Sequence, residues 1–167
     1  MKTIRTPALI LGLLYLCFFS YLALSGLQLP ERLATHFDAS GQPNGWMDRT
    51  SYLLFMAVFG IGFPLFVPAI SYFSRFLSDR LQNIPHRDYW FASERRAVTV
   101  AYLFRHSLWF ASMALCFVMG IHASILHANS LGQAFLSTPL VIGLAGCFLV
   151  GTVIGAVSLY WHFSEVA

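Results

Sequence analysis

Imidazole is the most versatile catalytic and metal-binding group in this chain, which carries six histidines. His36 lies two residues before Asp38, and His122 and His127 follow in a later apolar run. Imidazoles with a carboxylate suit zinc and related transition metals. The spacing speaks against a metal centre: residues five apart on an α-helix point about 140° from one another, so His122 and His127 diverge, and no HExxH pattern is present. His36 is expected to fix its own loop by hydrogen bonding, and His127 to sit at an interface. His122 is embedded in apolar sequence, where an ionisable side chain is a functional hypothesis by default; it either bonds to a neighbouring helix or relays protons. The chain has no Gly-x-Ser-x-Gly elbow, P-loop, dinucleotide fingerprint or pair of carboxylates within the apolar runs. The expectation is therefore no catalytic residue, no metal ligand and no cofactor.

The elements that position these side chains follow from composition. Apolar residues make up 57% of the 167 residues and charged residues 10%, against roughly 25% charge in soluble domains. No Asp, Glu, Lys or Arg occurs between Arg105 and Glu165. Four runs reach the roughly 20 apolar residues that a spanning helix needs: 7–29, 52–73, 107–126 and 138–161. They predict an all-α integral membrane protein, a four-transmembrane-helix bundle forming a single membrane domain over residues 1–167. The first run is longer than the hydrophobic core of a signal peptide, so it is read as a retained anchor despite Lys2, Arg5 and the small residues Ala23 and Ser25.

Orientation is read from Lys and Arg in the connections. Lys2 and Arg5 precede the first span; Arg32 and Arg49 lie in the loop 30–51, offset by Glu31, Asp38 and Asp48. Arg75, Arg80, Arg87, Arg95, Arg96 and Arg105 lie in the loop 74–106, and none lies in 127–137. The six-arginine loop and both termini are expected in the cytoplasm of a bacterial inner membrane, with loop 30–51 outside. Because the basic residues sit beside apolar runs rather than on one polar face, nucleic acid is not an expected partner; the lipid bilayer is. Cys17, Cys116 and Cys147 fall inside spans without a CxxC pair and read as small packing residues.

Span four carries Gly143, Cys147, Gly151 and Gly155 at four-residue spacing, a stripe that lets another helix approach closely, within this bundle or in a homo-oligomer. Pro64 and Pro68 predict a kink in span two. Trp46, Trp109 and Trp161 lie near span ends, where indoles anchor in the headgroup layer. In the outer loop, Leu33, Thr35 and Phe37 would share one side of an extended segment and His36 and Asp38 the other. Asp38-Ala39-Ser40-Gly41 and Pro43-Asn44-Gly45 read as successive turns. In the cytoplasmic loop Pro85 ends any helix, and Ser93 is the expected cap of a new helix that continues into span three.

The run Leu29 to Trp46, LPERLATHFDASGQPNGW, resembles the signature of the membrane domain of unknown function 1648, which also occurs at the N-terminus of Sdp-type immunity proteins. The resemblance lies in Leu29, Pro30, His36, Phe37, Gly41, Gly45 and Trp46, and covers the first span, the outer loop and the second span. A subgroup of that family has a proline–tyrosine–tryptophan cytoplasmic motif similar to Pro85, Tyr89 and Trp90 here. The resemblance implies a ligand- or partner-binding outer loop comprising Pro30, His36, Phe37, Asp38, Gly41, Gly45 and Trp46. A partner- or lipid-binding cytoplasmic segment would comprise Pro85, Tyr89, Trp90, Arg95 and Arg96.

The expected function is a membrane binding or accessory protein of immunity or sensing type, recognising a peptide, lipid or membrane partner through the outer loop. A small subunit or assembly factor of a larger membrane complex is the alternative from another class. A metal-dependent membrane enzyme is a third.

Overall fold

The computed structural model describes residues 2–131 and 133–165, the side chains of Lys2 and Thr3 excepted, so Lys2 as an orientation charge lies outside the described side chains. In chain order the elements are α1 (Lys2–Gly26), a hairpin of β1 (Arg32–Phe37) and β2 (Pro43–Asp48), α2 (Arg49–Ser74), a 3-10 turn (Asp79–Leu81), α3 (Arg87–Trp90), α4 (Arg96–Ser130) and α5 (Thr138–Ser164). Among the described residues four helices are long and apolar enough to cross a membrane: α1, α2, α4 and α5. The chain is a multi-pass membrane protein, all-α apart from the small hairpin. Within hydrocarbon every backbone N–H and C=O must be satisfied inside its own segment, and the helix does this.

α2, α4 and α5 outrun their apolar runs because polar residues at their ends continue the same hydrogen-bond ladder, whereas α1 begins before its run and stops at Gly26, short of residue 29. α4 shows this most: its 35 residues span about 52 Å at 1.5 Å per residue, against roughly 30 Å of hydrocarbon. Its start differs from expectation. The cap is Arg95, with no side-chain cap bond, and the Ser93 hydroxyl donates to Glu94 Oε1 at 2.9 Å instead. α2 has a side-chain cap, Asp48, whose carboxylate accepts the Ser51 N–H at 2.9 Å.

α2 runs through Pro64 and Pro68 as one helix. Pro64 has no N–H, so the Gly60 carbonyl one turn earlier loses its partner. The Tyr15 hydroxyl of α1 donates to that carbonyl at 3.2 Å. Gly60 also has no room for a side chain, because a Cβ there would enter the Phe18 ring.

The core forms where α1, α2 and α4 meet: Leu11, Phe18 and Leu22 from α1, Tyr52 and Met56 from α2, and Leu108, Ala111, Leu115 and Val118 from α4. α5 is peripheral and leans chiefly on α4; none of its most apolar window is buried, against 44% of that of α4. The small-residue stripe splits accordingly. A Cβ on Gly151 would collide with Met113 Sδ and one on Gly155 would reach His106 Nε2, whereas Gly143 has nothing within 4 Å. Cys17, Cys116 and Cys147 are exposed on the helix surfaces rather than packed between helices.

Candidate functional site

The hairpin end holds most of the polar structure. Asp38 Oδ1 accepts from Ser40 N–H at 2.8 Å, Ser40 Oγ at 2.6 Å and Gln42 N–H at 3.0 Å. The Ser40 hydroxyl, followed by the Gln42 amide, holds the Asp38 carboxyl below the usual carboxylate range. Its support of the turn is therefore complete at neutral pH and fades as acid titrates the group. Gly41 has φ +87°, and a Cβ there would strike the Leu136 carbonyl oxygen; its own carbonyl accepts from Leu136 N–H at 3.0 Å. Glycine is required at this position by both conformation and space.

The pairing differs from the expected turn at Pro43–Gly45, which belongs to β2. Ala34 pairs with Trp46, His36 with Gly45 and Phe37 with Pro43, leaving Thr35 and then Asn44 as extra residues on opposite strands. Burial still follows the expected alternation, with Leu33 buried, Thr35 half-buried and His36 exposed, except that Ala34 is buried as well. Ala34 is held by Asn129 of α4, whose Oδ1 accepts its N–H at 2.8 Å and whose Nδ2 donates to its C=O at 2.9 Å. His36 and Asp38 are exposed and Phe37 half-buried. The His36 side chain lies over Gly45, where a Cβ would come within 2.9 Å of the His36 Cβ and 3.1 Å of the ring Nδ1, and that Nδ1 is 3.1 Å from Thr35 Oγ1. Trp46 is 49% exposed, with the Arg32 guanidinium 5.9 Å from its ring. Pro30 is exposed just beyond the turn that ends α1.

Beneath the hairpin lies a polar cluster that joins three helices. His122 of α4 is fully buried. Its Nε2 is 2.8 Å from Ser25 Oγ of α1 and its Nδ1 2.7 Å from the Tyr52 hydroxyl of α2, while the Tyr21 ring meets it edge-on at 5.0 Å. The Ser25 hydroxyl also bonds to the Leu22 carbonyl at 3.1 Å. One proton arrangement satisfies all of these contacts: Tyr52 O–H donates to Nδ1, Nε2–H donates to Ser25 Oγ, and Ser25 O–H donates to Leu22 C=O. The imidazole is neutral in it. The Ser–His distance is that of a nucleophile and its base, but Ser25 is 3% exposed and its proton is engaged by a carbonyl, so the cluster is built to join helices.

Residues 13–61 match the family model described as a domain of unknown function (DUF1648). That segment of the chain is similar to the DUF1648 domain. No curated protein and no solved structure matches the chain. The DUF1648 segment contains Tyr21, Ser25, the hairpin and Tyr52, and the later helix α4 supplies the imidazole that ties Ser25 and Tyr52 together.

Two cavities flank this tie. One, of about 370 Å³, lies under the hairpin and is lined by Thr35, His36, Met47, Tyr52, Phe59 and Ile121 among others. The other, of about 350 Å³, is lined by Tyr21, Gln28, Pro30, His127, Asn129 and Ser130 among others. His36, His122 and His127 thus lie in separate surroundings, and no group of three or more metal-ligating side chains occurs among the described residues.

At the opposite end, Pro85 is followed by His86 in the left-handed conformation, φ 48°, which starts the single turn of α3. Trp90 Nε1 donates to the Phe163 carbonyl at 2.9 Å and the Trp90 carbonyl accepts from Thr99 Oγ1 at 2.8 Å. His162 stacks on Tyr102 at 3.9 Å, and His106 lies 6.5 Å away over the same ring. His106 and His162 thus meet through a shared tyrosine. Arg95 lies 3.8 Å over the Tyr89 ring, and Arg96 pairs with Asp79 at 3.0 Å. Trp90 and Arg96 are thus occupied within the protein. Ser25, Tyr52 and Asn129 were not singled out from sequence; the one available signal was a polar residue inside or beside an apolar run.

Proposed function

We propose that the protein is a bacterial inner-membrane binding module of immunity or sensing type, whose hairpin end recognises a peptide or lipid partner at the outer surface. The observation that carries this reading is the cavity of about 370 Å³ between hairpin and helices. Its volume lies in the range of small-ligand pockets. His36 and Thr35 supply polar groups at its rim, and Phe59 and Ile121 an apolar floor. Asn129 and Leu136 anchor the hairpin to the helices, so the rim is preorganised. The orientation is supported by charge: Lys2, Arg5, Arg75, Arg80, Arg87, Arg95, Arg96 and Arg105 belong to the end remote from the hairpin, and only Arg32 and Arg49 to the hairpin end.

The test compares wild-type protein with the His36→Ala/Trp46→Ala variant for partner capture and for protection of cells challenged with membrane-active peptides. Loss of both in a folded variant is expected. Equal behaviour of the two proteins would remove the hairpin as the recognition surface.

The reading as a small subunit of a larger complex draws on one observation, the most apolar stretch of α5, none of which is buried. Gly143 and its neighbour Ile142, 66% exposed, face no other part of the chain closely. A foreign helix seated there would be lost from a purification of Gly143→Leu.

A further inference from the structure

A cleft of about 590 Å³ opens between α2 and α5, floored by α4, at the arginine-rich end. Its walls are apolar, with Ile70 from α2, Trp109 and Phe110 from α4 and Leu159 from α5; its polar groups are those of Ser74, Gln82 and His106, among others. Along α4 the lining runs from Leu103 to Met113, about 15 Å at the helical rise. That is half of the roughly 30 Å hydrocarbon thickness, the depth of one leaflet. The far end meets the close contact between Gly151 and Met113.

Apolar walls one leaflet deep suit a flexible hydrocarbon chain. The rim supplies charge. Arg75, Arg80 and Arg105 are the chain neighbours of the lining residues Ser74, Leu81 and His106 and belong to the same end of the helices. Among the described residues the ion pairs are Arg87–Asp88 and Arg96–Asp79, so these three arginines have no carboxylate. The Arg75 guanidinium lies 3.5 Å from the Tyr72 ring and that of Arg105 4.8 Å from the Tyr102 ring. Nε of Arg75 is buried with no acceptor among the described residues.

We propose that this cleft is a binding site for an anionic phospholipid of the leaflet at the arginine-rich end, with one acyl chain between α2 and α5 and the phosphate at the arginine rim. The site is separate from the hairpin and stands or falls independently of the recognition role proposed above.

Trp109 in the wall provides the readout. Full-length protein is reconstituted in vesicles of phosphatidylcholine and phosphatidylglycerol, with a minor fraction of one or the other carrying brominated acyl chains. Subtracting the quenching of Trp109→Phe from that of wild type isolates the cleft. Brominated phosphatidylglycerol is expected to quench Trp109 as though enriched about fivefold over brominated phosphatidylcholine, the factor that one favourable arginine contact confers. The preference should fall to parity in Ala156→Phe, which fills the cleft from an exposed position in its lining. It should also fall in Arg75→Gln/Arg80→Gln/Arg105→Gln, which leaves the cleft itself intact. Equal quenching by the two lipids in wild type would overturn the proposal. So would a phosphatidylglycerol preference that survives Ala156→Phe, because it would then belong to the general lipid annulus.

Discussion

His122 draws its significance from its two ring nitrogens, each of which has a hydroxyl partner from a different helix. Removing one member of such a set leaves a desolvated polar atom, whereas removing both members of a pair leaves none. Tyr52→Phe is therefore expected to destabilise the protein by about 1–2 kcal/mol, within the range for interhelical hydrogen bonds in membranes. His122→Leu should cost a similar amount. The double variant should cost clearly less than the sum, as measured by reversible unfolding in mixed micelles; strict additivity would mean that the 2.7 Å contact contributes nothing. The position of His122 was legible in sequence as an imidazole amid apolar residues. Its partners were not, because Ser25 and Tyr52 lie 97 and 70 residues away and hydropathy does not report which faces of two helices meet.

The hairpin is the element that local sequence describes least well. Asp38 to Gly41 reads as a turn and forms one, because the carboxylate gathers its donors within four residues. Pro43-Asn44-Gly45 also has turn chemistry, yet it pairs as a strand, since Gly45 alone lets the His36 side chain lie across it. The burial of Ala34 follows from the distant Asn129 amide, which meets both of its backbone groups. Asn129→Ala should free the hairpin from α4 with the loss of two interelement hydrogen bonds, each contributing about 1 kcal/mol. Hydrogen exchange should accelerate across β1 and β2 while α2 stays protected. Unchanged exchange in the hairpin would show that the contacts around Gly41 and Leu136 suffice to hold it. The four long helices were read correctly as elements because twenty apolar residues in lipid have few other solutions; most of their ends were read short because hydropathy stops where the polar turns begin, while the end of α1 was read three residues long, since Leu27 and Leu29 are apolar but lie in the turn after Gly26.

For the molecule as a whole, the expected four-helix bundle is realised unevenly, with three helices sharing a core and α5 leaning on the third. Regular four-residue spacing of small side chains announced close packing on α5 but left open its extent. Gly151→Leu is expected to push α5 off α4 and lower thermal stability in detergent, since its Cβ already meets Met113. Gly143→Leu should leave stability unchanged, and any effect of that variant on co-purifying proteins would then report an external partner. The tie at His122 also bears on the order in which the chain is made. A ribosome working at about 5–20 residues per second needs roughly 4–14 s to travel from Tyr52 to His122. For that interval α1, the hairpin and α2 must wait in the membrane with the hydroxyls of Ser25 and Tyr52 unmatched by imidazole. Ser25 is the penultimate residue of α1 and Tyr52 the fourth of α2, so both stand at the rim of the hydrocarbon, where interfacial water can serve them until the later helix arrives.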